Sequence, residues 1–246
     1  MCGRYHLSRD PQAALRISGN VTEPGERNPF EPRWNIAPSE PPPAPTSRRT
    51  TPPRHTRVPI IRQRDDRQVI EHAVWPLVPG WAKGEVSRYS TANARSESLR
   101  ESRSYRPAWE RGQRCLIPAT GFFEWQDIGK TTKQPWNIEP LNDGFFLFGG
   151  LWEVSFTPDD VAVLSCTIIT VPANPLMRDI HNAGKHRHRM PLIVGPENAE
   201  AWLAAPLDTA DTLIDAFPAD EMAAHPVGTA LNNPGFDDPE VLRPIA

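Results

Sequence analysis

The chain opens with Met1-Cys2-Gly3-Arg4-Tyr5, and removal of the methionine would leave Cys2 as the mature N-terminus. An N-terminal cysteine is a 1,2-aminothiol. Its amine and thiol have reference pKa values of about 7.7–8.0 and about 8.5, so a fraction of each is nucleophilic at neutral pH. The amine can condense with an aldehyde to a Schiff base, and the thiolate can then close a five-membered thiazolidine ring. The residue types indicate an aldehyde trap, with an accidental cysteine after the start codon as the alternative.

Two further segments carry polar side chains that could assist such chemistry. Asn93 and Arg95 are two residues apart, so in an extended segment both side chains lie on one face, where an amide and a guanidinium suit a phosphate or a polar intermediate. A structural salt bridge is the alternative for Arg95. Glu124 is the one carboxylate in the apolar run 115–125. That setting suits proton transfer, and a paired structural glutamate is the competing interpretation.

Three of the seven histidines, His181, His186 and His188, lie in residues 179–191 ahead of a predicted strand. A metal site is conceivable, but several cations beside these histidines disfavour it. A histidine that acts as a general acid or base, surrounded by arginines that bind phosphate, fits the segment better. We predict no metal and no cofactor.

Two proline-stiffened segments present tryptophan. Trp34-Asn35-Ile36-Ala37-Pro38 is a compact loop sequence, and residues 75–81 repeat the theme with a tryptophan at each end. Such aromatic side chains can stack on nucleic-acid bases. Core packing explains them about as well.

The bulk composition restricts the class of protein. The formal net charge of −3 does not favour polyanions in general, so a nucleic-acid site requires a local basic patch. Three cysteines form neither a metal-type pair nor an even disulfide set, and the start of the chain has no apolar signal region. The longest apolar stretch, residues 145–152, is too short to span a bilayer. These features predict a protein of the reducing cytosol that does not associate with membranes.

The elements that must position these residues are mainly strands, because 29 prolines and short runs of β-branched and aromatic residues disfavour a helical bundle. We predict a single α+β domain with a curved, mixed or antiparallel sheet and flanking helices. The predicted strands are residues 3–7, 69–77, 114–126, 136–138, 145–152, 161–170 and 190–194, and the predicted helices are residues 11–18, 105–111, 196–205 and 209–217. Residues 41–57, rich in proline and arginine, are predicted to form a surface loop.

Taken together, these segments resemble the SRAP (SOS response-associated peptidase) family, whose members recognise abasic sites in single-stranded DNA. The resemblance runs in family order from residue 2 to about residue 194, and His225-Pro226-Val227 resembles the family's late segment. It implies one SRAP domain over residues 2–246, with an open barrel-like fold and a positively charged groove for single-stranded DNA. The matching motifs are Met-Cys-Gly-Arg-Tyr, Trp-Asn-Ile-Ala-Pro, Trp-Pro-Leu-Val-Pro-Gly-Trp, Asn-Ala-Arg-Ser-Glu, Cys-Leu-Ile-Pro-Ala-Thr-Gly-Phe-Phe-Glu-Trp, Gly-Gly-Leu-Trp-Glu, and Ile-His followed by Arg-Met-Pro.

The resemblance also implies roles for individual residues. The family removes its own initiator methionine and links Cys2 to the ring-opened sugar of an abasic site as a thiazolidine. By motif position, Asn93 positions the mature terminus, Glu124 assists proton transfer, and His181 handles protons on the opened sugar. His188 is held in reserve, because the family's tight spacing before Arg-Met-Pro places Arg187 where a histidine is expected. The implied DNA contacts are Arg4, Arg95 and Arg189 on phosphate, Trp81 and Trp125 on bases, and Pro38 near the site.

The resemblance therefore implies a DNA-repair protein of the SOS response with autopeptidase and lyase activities. We expect it to act as a monomer in the cytoplasm and to associate with the nucleoid during DNA damage. Two other functions remain open on the residues alone. One is a thiol peptidase acting in trans, with Cys2 as nucleophile and His181 as base. The other is a module that binds DNA structure without covalent chemistry.

Overall fold

The computed structural model describes residues 3–17, 30–42, 54–129, 132–142 and 144–245. Its regular structure is mainly β, with short helices around the strands. The strands are β1 Arg4–Leu7, β2 Arg33–Ile36, β3 Arg57–Arg64, β4 Arg67–Val74, β5 Asn93–Arg95, β6 Arg114–Ala119, β7 Gly121–Gly129, β8 Thr132–Pro140, β9 Phe146–Phe156, β10 Ala162–Pro172, β11 Arg189–Pro191 and β12 Met222–Pro226. The α-helices are α1 Gln12–Ile17, α2 Arg106–Glu110, α3 Pro175–Ile180, α4 Ala199–Ala204 and α5 Leu207–Thr212.

One sheet closes into a five-strand mixed barrel. Its strand order is β10-β4-β3-β6-β9, and β9 pairs again with β10 from Ala162↔Phe156 to Ile168↔Gly150. β4 and β5 run parallel to β10, whereas the other barrel pairings are antiparallel. The predicted α+β class with a curved mixed sheet is confirmed, and the barrel is closed where an open one was expected.

A second sheet is antiparallel, with the order β12-β8-β7-β1-β2. The chain passes from the barrel into this sheet at Thr120, between β6 and β7, where the sequence predicted one continuous strand. Gly121 is required at this point, because a Cβ there would clash with His6 Nε2 and would lie 2.7 Å from the carbonyl oxygen of Ile138. The backbone of β8 approaches Gly121 so closely that a side chain would not fit there.

The second sheet separates two apolar clusters. On β7, Phe122 packs into the large barrel core, and the next residue, Phe123, packs into a small cluster with Val227, Leu231 and Val241. This alternation follows from the two-residue period of a strand. The small cluster matters for the site because it lies beneath Arg4, which pairs with Phe123 across β1 and β7.

Several elements differ from the sequence predictions. β3 was not predicted, because Pro59 and three arginines obscure its pattern, although Val58, Ile60 and Ile61 are buried in the barrel. β2 and β12 were also missed, as was α3, which begins after Asn174, whose side chain accepts a hydrogen bond from Met177 N at 2.8 Å. The predicted helix 209–217 was wrong in extent, because α5 ends at Thr212.

The predicted loop 41–57 is described only at its ends, and residues 43–53 lie outside the described residues. Thr56 is buried, and Arg57 already belongs to β3. Within the described ranges, no helix is long and apolar enough to cross a membrane.

His6 is buried at the junction of the barrel and the second sheet. Its Nε2 lies 3.0 Å from Asn137 Oδ1, and its Nδ1 lies 2.9 Å from the Thr120 hydroxyl. Burial, followed by the charges of Arg9 and His225, lowers the pKa of His6 to about 4, against the opposing hydrogen bond to Asn137. The ring is therefore neutral at pH 7, and its 3.7 Å approach to the Glu139 carboxylate is not an ion pair at that pH.

This histidine makes the stability of the fold pH-dependent. The unfolded chain protonates His6 near pH 6.5 and the folded chain near pH 4, so the unfolded state binds more protons between these values. We expect the free energy of unfolding to fall by roughly 3 kcal/mol from this group as the pH drops through that window. Urea unfolding of wild type and His6→Gln at several pH values measures the difference, with exposed His55→Gln as the matched control. Equal pH slopes for wild type and His6→Gln would contradict this assignment.

Candidate functional site

Arg4 is a cation held firmly on β1. Its Nη1 donates to Asn35 Oδ1 at 3.0 Å and to the carbonyl oxygen of Leu231 at 2.6 Å. The guanidinium carbon lies 6.0 Å from the centroid of the Trp125 ring, close enough for a cation–π contact. Desolvation and then the nearby charge of Arg54 lower the pKa of Arg4, but an arginine remains protonated at neutral pH. Arg4, a predicted phosphate contact, and Trp125, a predicted groove aromatic, therefore lie next to each other.

Glu124 is buried on β7, with 3% of its surface exposed. Arg4 pairs with Phe123 in the antiparallel register, so Gly3, the residue before β1, lies beside Glu124. Across the other edge of β7, Glu124 pairs with Trp136 of β8. Met1 and Cys2 lie outside the described residues.

His181 follows α3 and is buried. Its Nδ1 lies 2.9 Å from the carbonyl oxygen of Arg189 and 3.3 Å from the Arg189 backbone nitrogen, so the backbone of Arg189 fixes the orientation of the ring. Asn182 fixes the segment to β7, because its Oδ1 accepts from Asp127 N at 2.8 Å and its Nδ2 donates to Asp127 O at 3.1 Å. The strand that carries Glu124 therefore also anchors the segment that carries His181.

The reserve candidate His188 has a different setting. Its backbone has φ of 59°, and its N–H donates to the carbonyl oxygen of His181 at 2.8 Å. Desolvation and then the charge of Arg178 lower its pKa. The loop between the two histidines therefore folds back on His181.

Asn93 and Arg95 lie on β5, which runs parallel to β10 with Asn93 opposite Ile168. Ala94 between them is fully buried and Arg95 is exposed, so the extended segment and its alternation are confirmed. The Tyr105 hydroxyl donates to the carbonyl oxygen of Asn93 at 3.1 Å and holds the strand in place. Arg95 contacts the His186 ring, whereas the alternative for it was a salt bridge.

Arg189 on β11 is the third predicted phosphate contact, and its guanidinium forms hydrogen bonds within the protein. Nη1 pairs with Glu97, and Nη2 contacts the backbone oxygen of Thr170 and lies 3.3 Å from its hydroxyl. The hydrogen bond from Arg189 lowers the pKa of Glu97. Glu97 belongs to the same motif as Asn93 and Arg95, so Arg189 ties β11 to that motif.

Trp81 forms a separate aromatic surface. It is 38% exposed, and its ring meets that of Tyr89 edge to face with centroids 6.4 Å apart. Arg103 covers the Trp81 ring at 5.6 Å, and Tyr89 is 76% exposed. Pro38 contacts Arg54 instead. Its carbonyl oxygen accepts a hydrogen bond from Arg54 Nη1 at 3.1 Å.

Sequence reasoning missed Asn35 and Tyr89 as residues of these surfaces. The signal for Tyr89 is an aromatic residue in the polar stretch 83–91, whereas the compact loop sequence of residues 34–38 gives no sign of the distant partners of Asn35. In the described part of the chain, no three His, Cys, Asp or Glu side chains gather into a group that could hold a metal ion.

A family model described as "SOS response associated peptidase (SRAP)" matches residues 1–234. The chain belongs to the SRAP family. The match covers β1, β5, β7 and β11, the strands that carry the predicted site residues.

Individual relatives agree with the SRAP assignment. The abasic site processing protein YoqW of Bacillus subtilis (strain 168) is 32% identical over 246 residues, with 99% of each chain covered. The abasic site processing protein YoaM of the same strain is 31% identical over 248 residues, with 98% of this chain and 97% of YoaM covered. A crystal structure of a protein from Bordetella bronchiseptica is 25% identical, with a TM-score of 0.72 over 92% of this chain and 100% of that one.

The site thus holds a fixed cation on β1, a buried carboxylate on β7, and a histidine in the segment that is anchored to β7. A cation can bind phosphate, and a carboxyl group and an imidazole can each transfer protons. The side chains suit a reaction that needs proton transfers at a polar, anionic substrate.

Proposed function

We propose that this protein recognises abasic sites in single-stranded DNA and forms a covalent crosslink with them through the mature N-terminal Cys2. The observation that carries the proposal is the register of β1 on β7, which starts the N-terminal strand beside the buried Glu124. Cys2 precedes Arg4 by two residues, a reach of at most about 7 Å. The choice of an abasic site as the lesion rests on the family and on the names of the relatives.

The crosslink is a condensation that needs no external reagent. The Cys2 α-amine adds to the C1′ aldehyde of the ring-opened sugar, and loss of one water gives a Schiff base. The Cys2 thiolate then adds to the same carbon, and a proton returns to nitrogen to complete the thiazolidine. Glu124 and His181 transfer the protons on the amine and on the opened sugar, and Asn93 positions the terminus.

DNA binding in this proposal relies on local charge. Arg4, Arg95 and Arg189 contact phosphates, and Trp81 and Trp125 stack on flanking bases, with Pro38 near the lesion. Backbone contacts read no sequence, and the lesion has no base, so the affinity depends on salt and not on sequence. The protein removes its own Met1, has an associated lyase activity, and acts as a monomer in the cytoplasm at the damaged nucleoid.

Intact mass spectrometry tests the proposal. Purified protein is incubated with a short single strand that carries one abasic site, and separately with the undamaged strand and with the same lesion in a duplex. We expect protein without Met1 to gain the mass of the abasic strand less one water, in a form that survives heating. The undamaged strand should give no adduct, and the duplex should give much less.

Three results would overturn the proposal. Protein without Met1 that gives no adduct would leave a processed terminus with another target. Steady peptide turnover that depends on Cys2 would indicate the thiol peptidase instead. Heat-labile protection of the lesion without any mass gain would indicate non-covalent binding.

A further inference from the structure

Asn35 of β2 is buried, with 1% of its surface exposed, and it uses both ends of its amide. Its Oδ1 accepts from Arg4 Nη1 at 3.0 Å. Its Nδ2 lies within donating distance of three backbone oxygens, those of Leu231 at 3.2 Å, Asn233 at 3.0 Å and Phe236 at 3.0 Å. One amide therefore connects the N-terminal strand to the C-terminal part of the chain.

The C-terminal residues that it binds form a strap, residues 229–237, over the outer face of the second sheet. The Leu231 carbonyl oxygen in the strap also accepts from Arg4, and Asn232 Oδ1 accepts from Trp125 Nε1 at 2.8 Å. Asp237 Oδ1 accepts from Asn35 N at 3.0 Å and closes the strap on β2. Leu231 and Phe236 pack in the small apolar cluster with Phe123 and Trp125. The strap thus touches both Arg4 and the aromatic ring beneath it.

We propose that Asn35 is a positioning residue that, together with the strap, fixes the Arg4 guanidinium for a DNA phosphate. This inference rests on the proposed function and assigns a role to a residue beyond it. Only a side chain with both an acceptor and donors can serve Arg4 and the strap carbonyls at once. A guanidinium fixed before binding loses less conformational freedom when it meets the phosphate.

The test is the salt dependence of binding to single-stranded abasic DNA, measured beside adduct formation. Each phosphate contact on a single strand contributes about 0.7 to the slope of log affinity against log salt. We expect Arg4→Leu to reduce the magnitude of this slope by about 0.7, and Asn35→Leu to reduce it by most of that amount. The double variant should reduce the slope no further than Arg4→Leu alone. The adduct rate at subsaturating DNA should fall about tenfold in Asn35→Leu, because a charged hydrogen bond is lost, while the rate at saturating DNA stays near wild type.

Asn137→Leu is the matched control, because Asn137 is fully buried in β8 of the same sheet and bonds to His6. It should lower the melting temperature and leave the salt slope unchanged. If Asn35→Leu does not fold, Asn35→Ser replaces it in the test. The shorter serine hydroxyl cannot bridge Arg4 and the strap carbonyl oxygens at once.

The outcomes separate the inference from the function that it rests on. Folded Asn35 variants with the wild-type salt slope, beside Arg4→Leu with a reduced one, would overturn the positioning role and leave the crosslinking function intact. A wild-type slope in Arg4→Leu would overturn it too. Failure of wild-type protein to form any adduct would overturn the proposed function itself.

Discussion

Replacement of Cys2 by serine is expected to abolish the heat-stable adduct and to leave a Schiff base that borohydride can trap. The variant keeps the α-amine, so the first condensation with the aldehyde still proceeds. A hydroxyl is a much weaker nucleophile than a thiolate at neutral pH, so ring closure fails and the imine stays open to hydrolysis. Without reductant, we expect adduct yield after heating to fall at least a hundredfold.

The measurement compares denaturing gels with and without borohydride, after mass spectrometry has shown that Met1 is absent from the variant. Cys166→Ala is the matched control, because burial raises the pKa of the Cys166 thiol and keeps it protonated within the barrel. It should crosslink like wild type. A heat-stable adduct of normal yield from Cys2→Ser would exclude the thiazolidine.

The sequence predicted the parts of the fold whose patterns are local. β9 and β10 are long apolar runs, and their existence follows from β-branched and aromatic content alone. β3 could not be predicted in this way. Its arginines flank a buried Val58-Pro59-Ile60-Ile61 segment, and that segment becomes a strand by pairing with β4 on one side and β6 on the other. The break at Thr120 has the same cause, since it depends on how two sheets meet.

The site shows a similar division. Motif position identified Arg4, Glu124 and Trp125, and the pairing of β1 with β7 explains why they are neighbours. Asn35 could not be identified from its own segment, because its partners Leu231 and Phe236 lie about two hundred residues away in the chain. The internal ion pair between Arg189 and Glu97 was equally hidden, since it depends on β5 and β11 both pairing with β10.

Replacement of Glu124 by glutamine is expected to slow adduct formation by about 10²- to 10⁴-fold, the usual contribution of a positioned acid or base. Glutamine keeps the shape of the side chain and an acceptor oxygen, but it cannot donate or take up the proton that each condensation step moves. DNA affinity should stay close to wild type, because the phosphate contacts are untouched. Quenched-flow sampling at saturating abasic DNA measures the rate, and fluorescence anisotropy with undamaged DNA measures the affinity.

Glu153→Gln is the control that separates chemistry from folding. Glu153 is a similarly buried glutamate, 8% exposed, on β9, where it pairs with Arg111 at 2.6 Å. If Glu124 were a structural carboxylate like Glu153, both variants would lose thermal stability and both would crosslink at the wild-type rate. A slow Glu124→Gln with a near-normal melting temperature, beside a fast Glu153→Gln, would instead assign the proton transfer to the carboxylate beside the N-terminal strand. That pair of results would also account for the single acidic side chain in the apolar run 115–125.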